Sequence, residues 1–370
     1  MIVKISNEPR DYAWGSNTLM PDALGIPATG KPMAEVWFGT HHGSPARVED
    51  GRTLGEFRGA PLGFLLKFLA AEKALSIQVH PSREQAVAGF AAEELAGIPV
   101  DAPGRTYRDV NPKNESIVAI TPFELLAGIR PAAEVVEELV SLRPFAIENA
   151  NLLERLIAVA FGNPDKLFAE VLGASADYSP LVQELGAARG HELLTRLIDE
   201  FGADRGVLLA LFMRHIRLNP GQAVVVPPGT PHSYLSGLGV EIQDNSDNVM
   251  RAGLTEKHVD GAEFLKVLDL EVSKRCDLVS AKELVRGLYA YPEISDDYCL
   301  HRVEVSGSNL LADISVPGDS ILVCVSGELA VGNSLEERVV LQRGEAAYLS
   351  GDAKFFTFAG SGTGYLGSEL

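Results

Sequence analysis

The chain has very little cysteine: Cys276, Cys299 and Cys324 are the only three in 370 residues, and they stand far apart. With no Cys-x-x-Cys pair, neither a cysteine-rich zinc site nor a disulfide framework is expected, and a reducing compartment fits. Long apolar runs are also missing, since none approaches the roughly 20 residues a membrane-spanning helix needs. The opening residues MIVKISNEPRDYAWG lack the basic-then-apolar pattern of a signal peptide. A cytoplasmic protein that binds no membrane is therefore expected. Positive charge is scarce as well, with 32 Lys and Arg against 50 Asp and Glu and a formal net charge of -18. A nucleic-acid partner would need a basic stripe, which is absent. A small anionic ligand stays compatible if a local basic pocket overcomes the repulsion of the whole chain.

Apolar residues make up 46% of the sequence, which places it among globular proteins, and its length suggests more than one domain. Residues 1 to about 60 are punctuated by Gly and Pro between short apolar pieces, a texture of short strands and loops. The run Phe64 to Ala74 is ambiguous between a buried strand and a short helix. Pro81 to Leu95 reads as a helix, with Ser82 as its N-cap. From 131 to 215 apolar residues recur at three- and four-residue spacing, which predicts a block of helices with short connections. His191 and His215 lie in this block without a partner at ligand spacing, so helix-end or groove positions suit them. Beyond Leu270 the chain returns to short strands, including Ile321–Val325, Glu328–Val331 and Phe355–Phe358, with Gly327 and Gly344 marking turns.

The side chains capable of chemistry concentrate in three places. Leu75 to Pro81 alternates, with Leu75, Ile77 and Val79 on one face and Ser76, Gln78 and His80 on the other. A Gln and a His two apart can both ligate a metal from one face, although a solvent-facing polar strand would show the same alternation. Asp109 to Phe123 carries Lys113 and Glu115, again two apart. Leu218 to Asp260 holds His232 and Tyr234 on one face of a strand, then the polar series Asp247, Asn248, Arg251, Thr255 and Lys257. Gln78, His80, Glu115 and His232 form a set of nitrogen and oxygen ligands suited to a divalent metal. Three of them precede the helical block and one follows it. Their convergence would require that block to be an insertion into one β domain.

The segments MAEVWFGTH (33–41), KFLAAEKALSIQVHP (67–81), DVNPKNESIVAITPF (109–123) and the 218–259 stretch resemble type I mannose-6-phosphate isomerase, in that family's order. The resemblance implies a mainly β fold with an α-helical insert. Two cupin-type jelly-roll β-barrels would be arranged as a discontinuous catalytic domain (1–130 and 216–265), a helical insert (131–215) and a C-terminal jelly roll (266–370). It implies one Zn2+ per chain on Gln78, His80, Glu115 and His232, and interconversion of mannose 6-phosphate and fructose 6-phosphate. The family's essential arginine falls on Arg251, and other site positions fall on Ser76, Lys113, Tyr234, Glu241, Asp247 and Lys257. Pro112 stands where many members have a histidine, so a base at that position is not expected here.

Aldose–ketose isomerisation passes through an enediolate, whose negative oxygen needs a Lewis acid or a fixed cation. Arg251 is expected to hold negative charge on the enediolate or phosphate, and Lys257 to contact phosphate. Lys113 or Glu241 would move the proton. Two other readings use the same residues: a non-haem iron oxygenase built on His80, His232 and Glu115, and a noncatalytic sugar-phosphate binding protein. Gln78 as a fourth ligand, together with Arg251 and Lys257, argues against the first. The small sugar phosphate is the expected partner, and a monomer is the favoured state.

Overall fold

The apolar run at Phe64 is a strand, Phe64–Ala71, with every residue buried. It pairs on one side with Glu35–Phe38 and on the other with His232–Asp244. A strand flanked on both edges and covered on both faces needs nearly continuous apolar side chains. Lys67 is the one charged exception. These strands belong to the first of two ten-stranded sheets in the computed structural model, which describes residues 1–173, 176–188, 190–293, 295–307 and 309–370.

The 13-residue strand His232–Asp244 organises this sheet. Along its length it pairs with Ile77–Val79, Phe123–Ile129, Phe64–Ala71 and Glu115–Ala119. All three chemistry-bearing stretches therefore meet on one strand. The polar face of Ile77–Val79 is not an open solvent face: Ser76 and Gln78 are half-buried, and His80 beyond them is 1% exposed. The helix Arg83–Leu95 follows at once, closed by a capping box in which Ser82 and Gln85 exchange side-chain-to-backbone hydrogen bonds.

Among the described residues, six α-helices run from Ala132 to Phe212, and the strands on either side of them, Phe123–Ile129 and Met213–Leu218, pair antiparallel. The helical segment thus leaves and re-enters the sheet side by side. Its apolar faces share one core with Ile77, Val79, Met250, Ala252 and Leu254. The apolar stretch from Val207 is helix only to Phe212 and then becomes a strand. Within the helical segment, His191 caps the helix Glu192–Phe201 and pairs with Glu138. His215 lies 3.8 Å from Glu124.

The second sheet corrects the expected strand list. Ile321–Val325 and Glu328–Val331 are one strand, Ser320–Asn333, and Phe355–Phe358 extends to Glu369. A bulge at Val325 interrupts the pairing, and beyond it Gly327 (φ 66°) stays in the strand rather than forming a turn. A Cβ there would lie 2.0 Å from the Ser361 carbonyl oxygen. The sheets also exchange elements across the boundaries drawn from the sequence. Ile2–Ser6 pairs with Ala346–Leu349 in the second sheet, while Leu278–Ser280 returns to the first sheet beside Gln222–Val226. Between the barrels a shared core joins Phe64, Phe68 and Val240 to Tyr298, Ile321 and Tyr365. The fold is thus two jelly-roll barrels with a helical part. Among the described residues, no helix is long and apolar enough to cross a membrane.

Candidate active site

Ligand atoms of His80, Glu115 and His232 converge within 4.8 Å of one another, and all three residues are buried. Each imidazole is oriented from behind. His80 Nδ1 lies 2.7 Å from the Asn248 carbonyl oxygen and His232 Nδ1 lies 3.1 Å from that of Thr230. Carbonyl oxygens only accept, so both Nδ1 atoms carry the proton and both Nε2 lone pairs face inward. His80 Nε2 is 3.4 Å from Glu115 Oε2, and His232 Nε2 is 2.7 Å from Glu115 Oε1. An imidazole lone pair and a carboxylate oxygen this close call for a shared positive charge. Together with the carbonyls behind the rings, this is the donor set of a divalent-metal site.

Positive charge is supplied in part by Lys113, whose Nζ lies 2.8 Å from Glu115 Oε2 and 3.0 Å from His80 Nε2. Burial, reinforced by Lys113, brings His80 down to about 3. Burial alone would raise Glu115, but the Lys113 ammonium beside it holds it well below the usual carboxylate range. Gln78 lies between His232 on one neighbouring strand and Arg251 on the other. Its Nε2 donates to Ser76 Oγ at 3.1 Å, leaving the carbonyl oxygen as a potential fourth ligand.

A buried hydrogen-bonded chain leads away from Glu115. The Tyr234 hydroxyl is 3.2 Å from Glu115 Oε1 and 2.7 Å from Glu241 Oε1. Lys67 Nζ then bridges Glu241 Oε2 at 2.6 Å and Glu35 Oε1 at 3.2 Å. Glu35 Oε2 in turn accepts from the Trp37 indole at 3.1 Å. Burial works against the Lys67 ammonium, but its two flanking carboxylates hold its pKa well above the ordinary lysine value. Burial, aided by the nearby Glu115 and Glu35, raises Glu241 despite Lys67. Burial, with Glu115 and Glu241, raises Tyr234, so it remains a neutral phenol. Glu35 and Lys67 are absent from the residues read out of the sequence. The only local signal was one lysine inside an eight-residue buried strand.

Arg251, Lys257 and Arg108 make up the other side of the site. Among the described residues none has a carboxylate within ion-pair distance, in a chain where acids outnumber bases 50 to 32. Burial and the neighbouring Arg108 lower Arg251, and burial with Arg251 lowers Lys257. The Lys257 ammonium sits 5.6 Å from the centre of the Tyr12 ring. Arg251 is half-buried and Lys257 and Arg108 are exposed, and clustered cations without a carboxylate partner form a receptor for an anion. Asp247 lies 3.4 Å from His41 Nε2 and 3.7 Å from His42 Nε2. His41 Nδ1 accepts the Gly43 N–H at 3.1 Å, so its Nε2 carries the proton and presents it to Asp247. The trio is therefore a hydrogen-bonding group and a poor cation site. Burial would raise Asp247, and His41, with His42 and Arg108, more than offsets this.

Known proteins resemble this chain along nearly its whole length. Residues 2–132 match the model of the phosphomannose isomerase type I catalytic domain. The mannose-6-phosphate isomerase of Salmonella typhimurium is 34% identical, with 97% of each chain aligned, and that of Escherichia coli is 32% identical over the same shares. A solved structure of the Salmonella typhimurium mannose 6-phosphate isomerase, bound to fructose 6-phosphate and zinc, superposes with a TM-score of 0.86 at 30% identity. That match covers 100% of this chain and 99% of the other. With relatives above 30% identity along nearly its whole length, the chain belongs to the type I phosphomannose isomerase family.

Proposed function

We propose that this chain is a mannose-6-phosphate isomerase, a zinc-dependent enzyme interconverting mannose 6-phosphate and fructose 6-phosphate through an enediolate. The observation that carries the reading is the inward-facing His80–Glu115–His232 cluster beside Arg251, Lys257 and Arg108, none of which has a carboxylate within ion-pair distance among the described residues. The oxygenase reading has no use for that cation group. His80, Glu115, His232 and the Gln78 carbonyl would hold the zinc, which supplies a Lewis acid for a developing negative oxygen.

The other roles follow from what each side chain can reach. Arg251 offers a planar fork to the phosphate or the enediolate oxygens, with Lys257 as a second cation. Lys113 carries the proton between C2 and C1 of the sugar, because its amine is the acid–base group in contact with the ligand cluster. Glu241 acts at one remove: its oxygens are engaged by Tyr234 and Lys67, so it sets the orientation and charge of Glu115 through the Tyr234 hydroxyl. Ser76 holds the Gln78 amide and stands on the substrate side of it, and Asp247 serves the sugar hydroxyls. A cytoplasmic location is supported by three free, buried thiols, and a monomer is expected by size-exclusion chromatography.

The test is NMR of fructose 6-phosphate with the purified protein in D2O, with and without a strong chelator. Mannose 6-phosphate should appear, cease with chelator and return with zinc. Metal-replete protein that yields none would overturn the assignment.

A further inference from the structure

We propose that Asn248 is a positioning residue that fixes the His80 imidazole and the Lys113-bearing loop relative to one another. The proposal rests on the reading of His80 as a metal ligand. Asn248 is fully buried and bonds in two directions at once. Its carbonyl oxygen accepts the His80 Nδ1–H at 2.7 Å. Its side chain faces residues 108–111. Oδ1 accepts the backbone N–H of Arg108 at 2.7 Å and of Asp109 at 3.2 Å. Nδ2 donates to the carbonyls of Asp109 at 2.9 Å and Asn111 at 2.8 Å.

Asp109 returns the contact. Its carboxylate accepts the Ser246 hydroxyl at 2.9 Å, the Asp247 N–H at 2.9 Å and the Asn111 N–H at 2.8 Å. Neither segment has a backbone ladder here, since residues 105–114 and 245–249 form no strand or helix. The position of the carbonyl that holds His80 therefore depends on this side-chain lacing. Lys113 and Glu115 follow Asn111 closely, and Arg251 follows Asn248, so metal ligand, proton carrier and anion receptor are referred to one buried amide.

Only an amide of this size both accepts two N–H groups and donates to two carbonyls. Aspartate at 248 would set a carboxylate against the Asp109 and Asn111 carbonyls and the Asp109 carboxylate. Alanine would leave four partly buried backbone groups without these partners.

The experiment compares Asn248→Asp, Asn248→Ala and Asp109→Asn with the parent and with His80→Ala, all in the full chain. Zinc affinity is measured by chelator competition, the His80 tautomer by 15N NMR of the zinc-free protein, and kcat and KM for fructose 6-phosphate at saturating zinc. Zinc binding should weaken about 10- to 100-fold in the Asn248 variants, in the range for groups that orient metal ligands. The fixed Nδ1–H tautomer should be lost, and kcat should fall with KM little changed. Asp109→Asn should move the same readouts in the same direction, and it decides the matter if the Asn248 variants do not fold. Folded variants with parental zinc affinity, tautomer and kcat would overturn the proposal. If His80→Ala binds zinc as tightly as the parent, the metal-ligand reading itself falls, a result distinct from failure of the positioning role.

Discussion

The two barrels have the same general architecture and opposite interiors. The C-terminal barrel is filled by Val303, Leu322, Cys324, Leu329, Val331, Phe356 and Phe358, and the polar residues buried in it are serines. The first barrel buries Glu35, Lys67, His80, Glu115, His232 and Glu241. Taking a charge out of water costs several kcal/mol per ion, and good geometry only offsets that cost. A barrel of this kind folds well without such groups, as the second one does. The charged interior of the first therefore marks where function overrides stability.

That contrast can be broken or sharpened by substitution. The largest effect is expected for Glu115→Ala, which removes the group shared by both imidazoles and Lys113: zinc content should fall close to zero and turnover with it. Retained zinc would remove Glu115 from the ligand set. In the second barrel Phe358→Ala should lower stability by about 3–5 kcal/mol in chemical denaturation, while kcat/KM of the folded fraction stays parental. A loss of activity at full folding would mean that the second barrel shapes the site.

Arg251→Ala should lower kcat by about 10²–10³-fold, the range for removing one preorganised donor from a developing negative charge, with zinc content unchanged. Zinc loss in that variant would make Arg251 structural. Tyr234→Phe should leave Glu115 and Glu241 each short of a hydrogen bond and lower zinc affinity about tenfold or more. Unchanged affinity would show that the buried chain behind Glu115 is inert.

The smallest effect concerns pH. Burial raises the Asp244 carboxyl from 3.8 to about 6, although Asn114 donates to it from its backbone and its side-chain amide. Between these values the unfolded chain gives up this proton while the folded chain keeps it, so stability falls as pH rises through the window. Asp244→Asn should flatten that slope in urea titrations from pH 4 to 6, and an unaltered slope would assign it to other groups.

Much of the site was legible because its chemistry is carried by short local patterns. Gln78 and His80, Lys113 and Glu115, and His232 and Tyr234 each stand two apart, the period that puts side chains on one face of a strand. The helical segment was legible from its three- and four-residue spacing, and the requirement that it be an insertion came from the order of the ligands alone. The Glu35–Lys67–Glu241 ion cluster was not legible. Lys67 and Glu241 are cross-strand partners in the register of Phe64–Ala71 against His232–Asp244, and no local pattern specifies that register. The joining of Ile321–Val325 and Glu328–Val331 was missed because a glycine between two apolar runs reads locally as a turn, whereas Gly327 stays in the strand just past a bulge at Val325.

By itself, then, the sequence determined the inventory: which residues can ligate, donate or carry charge, which faces of strands they share, and where helices begin. Patterns of a few residues carry that information because side-chain direction along a strand or helix is local geometry. Tertiary structure alone decided which groups meet. It set the His80 tautomer through a carbonyl 168 residues away, left Arg251 without a carboxylate partner among the described residues, and traded strands between the barrels. Those outcomes depend on strand register and loop packing, which are fixed by burying the whole core at once.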